Sequence, residues 1–311
     1  MKILCVGQMV VDILVQGMDV LDFSIDTHRV SDISFRNGGD CLNTAIDLRR
    51  LGNEIGFTGL LGDDILGRYL LEVLENNRIE TGGIRITDKA RTSSVIVAIN
   101  SNGERVFFYY GGANDLFSFN DINQDEIRQF GIIHVGGTFL LPGFDGDGTA
   151  KLFELAHRHG KFTSMDVTWD TTGNWMQTIE PCLKHLDIFM PSSGEAEKIT
   201  GETCPESMAK ALIDKGIKNV IIKLGKEGCY VNTFGENFYF PAYKVPVVDT
   251  TGAGDAFVAG VLTGISKGWN IGKSVQFASA VSAFCIQTLG ATTGIPPFDK
   301  VLSFIDTYQQ D

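Results

Sequence analysis

The stretch DTTGAGDAFVAGVL, residues 249–262, joins a glycine-rich turn to the start of an apolar helix. Gly252, Ala253 and Gly254 have small side chains or none, so their backbone N–H groups can approach a ligand closely. A helix N-terminus with free N–H groups attracts anions, and the acidic residue Asp255 follows the turn directly. Because a carboxylate there would repel a permanently bound anion, its presence requires a chemical reason.

A phosphoryl group in transfer supplies that reason. N–H groups stabilise the charge on its equatorial oxygens, and a neighbouring carboxylate can accept the proton of an attacking hydroxyl. The stretch therefore predicts an anion hole at Gly252–Gly254 and a general base at Asp255, as a small-molecule kinase needs. A second interpretation stays open at this point, in which Asp255 only caps the helix and the glycines only form a tight turn.

Strand-like and helix-like segments alternate through most of the chain. Apolar strands are predicted at 2–6, 55–61, 132–135, 162–166, 187–190 and 219–224, and helices at 41–51, 65–75, 149–159, 252–267 and 271–289. This alternation predicts an α/β fold with a central, mostly parallel sheet flanked by helices on both faces. Asp63 or Asp64 is predicted to cap the helix that begins at residue 65.

Two regions interrupt the alternation. Strand-like segments at 11–15 and 29–33 surround a polar stretch, and segments 93–99 and 105–110 flank the turn sequence NSNGE, which predicts a hairpin. Two strand pairs without an intervening helix predict a small separate β-sheet that covers the site as a lid, formed by about 11–35 and 93–111. Since no repeat or linker divides the chain, residues 1–311 are predicted to form one domain.

Composition excludes several classes of partner. The formal net charge of −12 disfavours nucleic acid and anionic membranes, and no apolar stretch is long enough for a membrane span. Six scattered cysteines without a CxxC pair predict reduced, mostly buried thiols in a cytoplasmic protein. The run Phe107–Tyr110 sends alternate aromatic side chains to both faces of the lid, which predicts a homodimer joined through the lid sheets.

Four further segments accompany the opening stretch in a fixed order. They are RNGGDCLNTAIDLRRLGNEIGFTGLLGDDILG at 36–67, PSSGEAEKITG at 191–201, KLGKEGCYV at 223–231 and GATTGIP at 290–296. Together, over nearly the whole chain, the five segments resemble the signatures of the PfkB (ribokinase-like) carbohydrate kinases. Within that family, GGD followed by LNT is more similar to 2-keto-3-deoxygluconate kinases and to a broad group of unassigned sugar kinases than to ribokinases. The resemblance implies a ribokinase-like fold and ATP-dependent transfer of the γ-phosphoryl group to a hydroxyl, expected to be primary, of a monosaccharide or sugar acid.

The resemblance also implies roles for individual residues. Asp255 would be the catalytic base, and the N–H groups of Gly252, Ala253 and Gly254 the anion hole. The sugar would be held by Asp12, Gly38, Gly39, Asp40 and Asn43, and ATP would lie along Ser192, Lys223, Gly225, Gly228 and Gly254. Glu195 would organise Mg²⁺ through water. A monovalent cation such as K⁺, which family members often bind, is allowed at Asp249, Thr251 and Gly290.

Several positions depart from the family pattern. Ser192 stands where the family has an asparagine, which puts its contact to metal or phosphate in doubt, and Val10 and Asp40 replace an asparagine and a lysine of ribokinases, which argues against ribose. A nucleoside kinase of the same fold and a non-catalytic sugar-binding protein stay open as alternatives. FDGDGT at 144–149 matches a phosphatase motif whose other parts do not follow in order, and its Asp145 is a further candidate for a sugar contact.

Overall fold

The computed structural model describes residues 1–308, in which strands and helices alternate as predicted. The thirteen strands of this part are β1 (Ile3–Gly7), β2 (Val10–Gln16), β3 (Asp32–Gly38), β4 (Ile55–Gly62), β5 (Glu80–Thr87), β6 (Ser94–Ile99), β7 (Arg105–Tyr110), β8 (Ile132–Thr138), β9 (Phe162–Val167), β10 (Ile188–Phe189), β11 (Asn219–Lys223), β12 (Cys229–Thr233) and β13 (Asn237–Phe240).

Ten α-helices accompany these strands in the same part of the chain. They are α1 (Asp40–Arg50), α2 (Ile65–Asn76), α3 (Ala113–Leu116), α4 (Asp147–Arg158), α5 (Trp175–Leu183), α6 (Ser193–Thr200), α7 (Pro205–Asp214), α8 (Ala253–Ser266), α9 (Ile271–Cys285) and α10 (Phe298–Thr307). Asp64 caps α2, since its carboxylate accepts a hydrogen bond from the Gly67 N–H at 2.8 Å. No helix of residues 1–308 has the length and apolar character that a membrane crossing needs.

Nine strands form one sheet in the order β13-β12-β11-β10-β9-β8-β1-β4-β5. Every pair from β11 to β5 is parallel, and only β12 and β13 add antiparallel pairs at one edge. Along β1, Ile3 and Cys5 pack into one hydrophobic core while Leu4 and Val6 pack into another. Because alternate residues of a strand point to opposite faces, the sheet has a core on each side, which confirms the predicted α/β class.

The remaining four strands form a separate sheet in the order β3-β2-β6-β7, called here the lid sheet. The predicted combination of two strand pairs into one small sheet is therefore confirmed, and β2 pairs with β6 in parallel. The predicted strand at 29–33 was wrong, because the strand begins at Asp32 and continues to Gly38. Its period-two pattern, with Ile33 and Phe35 between polar residues, extends further than the apolar residues alone suggest.

The lid sheet leaves the large sheet at the carboxyl ends of its parallel strands, since β2 directly follows β1. Asp166 near the end of β9, Lys223 at the end of β11 and Asp40 at the start of α1 lie at this same edge. In open α/β sheets, ligands bind beyond the carboxyl ends of the strands. The fold therefore brings the polar ends of several distant segments to one cleft under the lid sheet.

Candidate active site

The turn before α8 is built around Gly252. Its φ of 78° is left-handed, and a Cβ atom there would overlap the carbonyl of Ala291. Glycine is therefore the residue that fits. Within residues 1–308 no side chain caps this helix, although the Ala253 N–H donates to the Thr250 carbonyl at 3.2 Å. The N-terminus of α8 is thus available to an anion, with Asp255 in its first turn.

A cavity of about 370 Å³ lies in front of this turn and collects many of the predicted residues. Its polar lining includes Asp40, Asp166, Ser192, Glu195, Lys223 and Asp255, together with the backbone of Gly225 and of Gly252–Gly254. Residues up to 215 positions apart in sequence, Asp40 and Asp255, therefore face one space. The fold thus brings five of the predicted side chains, those of Asp40, Ser192, Glu195, Lys223 and Asp255, to one cavity.

Asp255 is 8% exposed, and Asn43 from α1 holds one of its oxygens. The Asn43 Nδ2 donates to Asp255 Oδ2 at 2.9 Å, and Asn37 from β3 contacts the amide oxygen of Asn43 at 3.4 Å. Burial, and next the carboxylate of Asp40, raise the pKa of Asp255 well above its ordinary value. Asn43, predicted from the family resemblance as a sugar ligand, is seen here orienting the predicted base.

Lys223 forms a buried ion pair that sequence reasoning missed. Its Nζ lies 2.8 Å from both carboxylate oxygens of Asp166, and the two side chains are 14% and 5% exposed. Burial works against the ammonium charge, but the carboxylates of Asp166 and Glu195 outweigh it and raise the pKa of Lys223. The available signal for Asp166 was its place as the only acid of an apolar strand, at the carboxyl end.

Asp12 lies in β2, and Gly38 leaves room for it. A Cβ atom at Gly38 would overlap the Asp12 carboxylate, so this glycine serves the position of a neighbouring side chain. Gly39, with φ of 93°, is the N-cap of α1 and packs against the Gln8 carbonyl. Burial raises the pKa of Asp12 to about 6, and burial with the carboxylates of Asp166 and Glu195 raises the pKa of Asp40 to about 7.

Ser192 and Glu195 form a capping box at the start of α6. The Ser192 N–H donates to Glu195 Oε2 at 2.7 Å, and the Glu195 N–H donates to Ser192 Oγ at 3.4 Å. The serine that departs from the family pattern thus has a local structural role, since it satisfies a free N–H of the helix. Within the described residues, no three or more His, Cys, Asp or Glu side chains form a group able to hold a metal ion directly.

A larger groove of about 670 Å³ adjoins the cavity and contains the other residues predicted for ATP. Lys223, Gly225, Gly228 and Gly254 line it, with mainly apolar residues around them: Ala242, Tyr243, Val245, Pro246, Val247, Phe257, Ala283 and Ile286. Gly228 has φ of 94°, and a Cβ atom there would overlap the Phe240 carbonyl. An apolar groove that ends at a helix N-terminus suits a ligand with a planar base and phosphates.

Asp249, Thr251 and Gly290 form a closely bonded turn beside the glycine turn that begins α8. Asp249 accepts hydrogen bonds from the Thr251 N–H at 3.0 Å, the Thr251 hydroxyl at 2.7 Å and the Gly290 N–H at 3.0 Å. Arg105 of the lid sheet joins them, because its Nη1 donates to Thr251 Oγ1 at 2.9 Å and its Nη2 lies 3.5 Å from Asp249 Oδ1. Sequence reasoning missed this contact between lid and turn.

Asp145 lies outside this group. Its Oδ2 accepts from the N–H groups of Phe139 and Leu141, both at 3.0 Å, and it borders a different cavity of about 480 Å³. The residue therefore holds the loop after β8. Its FDGDGT segment leads into α4 and does not end a strand, which removes the structural context that the phosphatase motif requires.

The sequence matches the pfkB family carbohydrate kinases over residues 1–297. The chain belongs to the PfkB family. It is therefore a carbohydrate kinase, a phosphotransferase that acts on sugar hydroxyls. The alternative of a non-catalytic sugar-binding protein is set aside by this membership.

Two relatives and one solved structure show how far the similarity extends. ATP-dependent 6-phosphofructokinase of Thermoanaerobacterium thermosaccharolyticum is 29% identical, over 98% of this chain and 94% of its own length. Fructokinase-1 of Zea mays is 30% identical, over 86% of this chain and 88% of its own length. The ribokinase of Thermotoga maritima superposes with a TM-score of 0.85 and 25% identity, covering 98% of this chain and 99% of its own. The ribokinase-like fold is thus confirmed.

Asp47 is a further carboxyl group of this PfkB kinase near Asp255. It lies one helical turn beyond Asn43 in α1, is 0% exposed, and neither of its oxygens has a hydrogen-bond partner within residues 1–308. Burial, and next the carboxylate of Asp255, raise its pKa well above the ordinary value. Because the folded state raises this pKa, stability is lost as pH rises from about 4 toward the folded-state pKa.

We expect Asp47→Asn to remove this pH-dependent loss. The free energy of unfolding of the variant should therefore exceed that of wild type, and the difference should increase by about 1.4 kcal/mol for each pH unit between the unfolded-state and folded-state pKa values. Urea unfolding of variant and wild type at about pH 5 and about pH 8 measures it, with exposed Asp88→Asn as control. A difference between variant and wild type that is equal at both pH values would contradict the expectation.

Proposed function

We propose that the protein transfers the γ-phosphoryl group of ATP to a hydroxyl, preferentially a primary one, of a monosaccharide or sugar acid. The observation that supports this most is the position of Asp255, which faces the same cavity as the anion-hole turn, next to the apolar groove that Gly254 also lines, and accepts a hydrogen bond from Asn43. In this proposal ATP occupies the groove with its phosphates at the N-terminus of α8. The sugar lies under the lid sheet, against Asp12 and Asp40.

In the proposed reaction the acceptor hydroxyl attacks the γ-phosphorus in line. The new O–P bond forms as the bond to the β–γ bridging oxygen breaks, ADP leaves, and the hydroxyl proton passes to the Asp255 carboxylate. Asn43 holds Oδ2 of Asp255, which leaves Oδ1 to accept the proton. The N–H groups of Gly254 and its neighbours stabilise the charge on the transferred group, and Lys223 supplies a fixed positive charge beside it.

Mg²⁺ is part of the proposal, held mainly by the phosphates and by waters. The carboxylates of Glu195, Asp166 and Asp40 line the same cavity, and oxygen ligands of this kind suit a hard cation that keeps its waters. When bound, Mg²⁺ neutralises the charge that develops on the phosphates. Glu195 would reach it through water, with one carboxylate oxygen already accepting from the Ser192 N–H.

K⁺ is proposed at the turn of Asp249, Thr251 and Gly290. The nearly buried carboxylate of Asp249 favours a cation at this turn, but Arg105 already brings a positive charge to that carboxylate. Rates in potassium chloride and in tetramethylammonium chloride at equal ionic strength test the proposal. Equal rates in the two salts would remove K⁺ from it.

A panel of acceptors tests the function itself. ADP release should be measured with ATP against fructose, ribose, tagatose, psicose, 2-keto-3-deoxygluconate and adenosine. Turnover with a sugar supports the proposal. Turnover with adenosine alone supports the nucleoside kinase, which the aromatic residues Phe107 and Tyr109 on the Asp12 face of the lid sheet favour as the second candidate.

Removal of Asp12 should affect the sugar far more than ATP. Asp12→Ala leaves the polar groups of the sugar without their partner, which costs about 1–3 kcal/mol, or about 5-fold to 150-fold in KM for the sugar. Steady-state kinetics with each substrate varied in turn measures the effect. Asp32→Ala, an exposed aspartate of the neighbouring strand, is the control. An increase in KM for ATP with none for the sugar would show that Asp12 has been assigned to the wrong ligand.

A single kinase domain formed by the whole chain is also proposed. Two such chains are proposed to associate as a homodimer through their lid sheets. By register, Phe35, Ile13, Ile96 and Phe108 form one row on the face opposite Asp12. Phe35, Ile96 and Phe108 are 50%, 42% and 44% exposed, and Tyr110 extends the same face. An exposed apolar sheet face of this kind favours association with a second copy.

Charged substitutions on this face should prevent association. Sedimentation should show a dimer for wild type and a species near 33.9 kDa for the double variant Phe108→Asp/Tyr110→Asp. Phe234→Asp, a 96% exposed phenylalanine outside the lid sheet, should leave the dimer intact. A wild-type chain that sediments as a monomer at micromolar concentration would end this proposal.

A cytoplasmic location is proposed on the basis of the cysteines. All six are free, and five of them are buried. Unpaired thiols are typical of a reducing compartment, which is also where ATP is supplied. Fractionation of cells that express the protein tests the location.

A further inference from the structure

The face of the lid sheet that carries Asp12 extends from a root to a tip. At the root, where the lid leaves the large sheet, Asp12, Val95 and Tyr109 stand side by side in the register of β2, β6 and β7. At the tip, Arg105 begins β7 beside the hairpin loop of residues 100–104. Because alternate residues of a strand share a face, Arg105 and Tyr109 point to the same side of the sheet, about 13 Å apart along the strand.

Both ends of this face are joined by side chains to the body, which is the large sheet with its helices and loops. At the root, the Gln8 Nε2 lies 3.4 Å from the Tyr109 hydroxyl, just after β1. At the tip, the Arg105 Nη1 donates to Thr251 Oγ1 at 2.9 Å, and its Nη2 lies 3.5 Å from Asp249 Oδ1. The lid sheet therefore spans the cleft from the end of β1 to the turn before α8.

The contact of Arg105 is the one polar connection between the tip and the body. Within residues 1–308, the other hydrogen bonds and ion pairs of segments 13–36 and 96–108 stay inside the lid. The side chain of Arg105 is 38% exposed and that of Asp249 is 6% exposed, so the contact is partly shielded from water. Loss of this single side chain would leave the tip of the lid without a polar connection.

The partners of Arg105 belong to the turn that leads directly into the proposed anion hole at Gly252–Gly254. The Thr251 hydroxyl, which accepts from Arg105, donates to Asp249 Oδ1 at 2.7 Å. The other carboxylate oxygen of Asp249 accepts from the Gly290 N–H at 3.0 Å. Arg105 is thus the lid's end of a chain of hydrogen bonds that fixes the residues immediately before the anion hole.

We propose that Arg105 is a positioning residue for phosphoryl transfer, which fastens the tip of the lid sheet to the turn before α8 and holds that turn in place for the reaction. This inference rests on the proposed function. A hydrogen bond from a guanidinium is stronger than one between neutral groups, and a closed lid excludes water from the reacting groups. Entry of the acceptor and release of the product require the contact to open.

Arg105→Gln tests the inference, because it removes the guanidinium and its charge from the tip of the lid. The best acceptor of the panel is the probe, with KCl at one fixed concentration. We expect kcat/KM for the acceptor to fall about tenfold, as for the loss of a partly exposed charge-assisted hydrogen bond. The Kd of a non-hydrolysable ATP analogue without acceptor should stay unchanged, since Arg105 does not line the groove proposed for ATP.

Two further measurements distinguish opening of the lid from a general loss of folding. The ratio of ADP released to phosphorylated product should be about one for wild type and higher for Arg105→Gln, because an open lid admits water. With acceptor and ATP analogue bound, the amides of β7 should exchange hydrogen faster in the variant. The Tm of the free protein should change little, since a single partly exposed contact contributes little to global stability.

The chain offers matched comparisons for this substitution. Arg105→Lys keeps the charge but lacks the planar fork that reaches both partners, so it should recover part of the loss. Arg85→Gln, at an exposed arginine of β5 in the large sheet, should change none of these quantities. In Thr251→Val the partner hydroxyl is missing, so the addition of Arg105→Gln should reduce kcat/KM much less there than in wild type.

Two results would overturn the inference. One is an Arg105→Gln variant with the kcat/KM and the ratio of ADP to product of wild type. The other is an undiminished effect of Arg105→Gln in the Thr251→Val background, which would show that Arg105 acts through a different partner. The proposed function is judged separately, by the identity of the best acceptor. Turnover of adenosine alone would overturn the sugar kinase, and the same variants measured with adenosine would still decide the role of Arg105.

Discussion

Asp255→Asn should bind ATP normally and lose nearly all turnover. The amide preserves the shape of the side chain and its contact with Asn43 but cannot accept the proton of the acceptor hydroxyl. Removal of a general base costs about 10²–10⁴ in kcat. Initial rates of ADP release measure kcat, and titration with a non-hydrolysable ATP analogue measures binding.

The chain offers a matched control for this substitution. Asp299 also lies in the first turn of a helix, α10, but is exposed, so Asp299→Asn should leave kcat unchanged. A turnover of Asp255→Asn within about threefold of wild type would exclude the role of base. If the variant lost ATP binding as well as turnover, Asp255 would instead serve the binding of the phosphates at the anion hole.

Asp255 should also set the acid limb of the pH profile. Its pKa is raised by burial and by Asp40, so the carboxylate that accepts the proton is lost at a higher pH than for an ordinary aspartate. The rate should therefore fall as pH decreases through this raised pKa. Asp40→Asn removes the second of these causes and should move the acid limb to lower pH.

Lys223→Met should destabilise the protein strongly. The substitution leaves the carboxylate of Asp166, 5% exposed, without its cation. Breaking a buried ion pair by removing one partner costs about 3–5 kcal/mol, which corresponds to a fall in Tm of about 6 °C or more for a chain of this size. Thermal and urea unfolding measure the loss, and KM for ATP should rise because Lys223 also lines the groove.

A second substitution tests whether the pair is the cause. Adding Asp166→Asn to Lys223→Met removes the unpaired charge and should recover a large part of the lost stability. Lys226→Met, an exposed lysine three positions further, should have little effect on unfolding. A Lys223→Met variant as stable as wild type would show that Asp166 is neutral in the folded protein.

The class of fold and the turn that carries Asp255 could be predicted from the sequence because both depend on neighbouring residues. The period-two and helical patterns of hydrophobicity, and the small residues before Asp255, are local signals. The turn at Gly252 has the left-handed backbone that the glycine allows. The failure at residues 29–33 was also local, since the polar positions of β3 hid its true length.

The side-chain contacts around the cleft were decided by tertiary structure. Lys223 and Asp166 are 57 positions apart, Asn43 and Asp255 are 212, and Arg105 and Asp249 are 144. Patterns within one segment do not reveal which side chains meet when parallel strands place their carboxyl ends at one edge. For the same reason the sequence determined that an acid follows a turn of small residues, but only the folded chain brought Asp12 close to Asp40 and Asp40 close to Asp255.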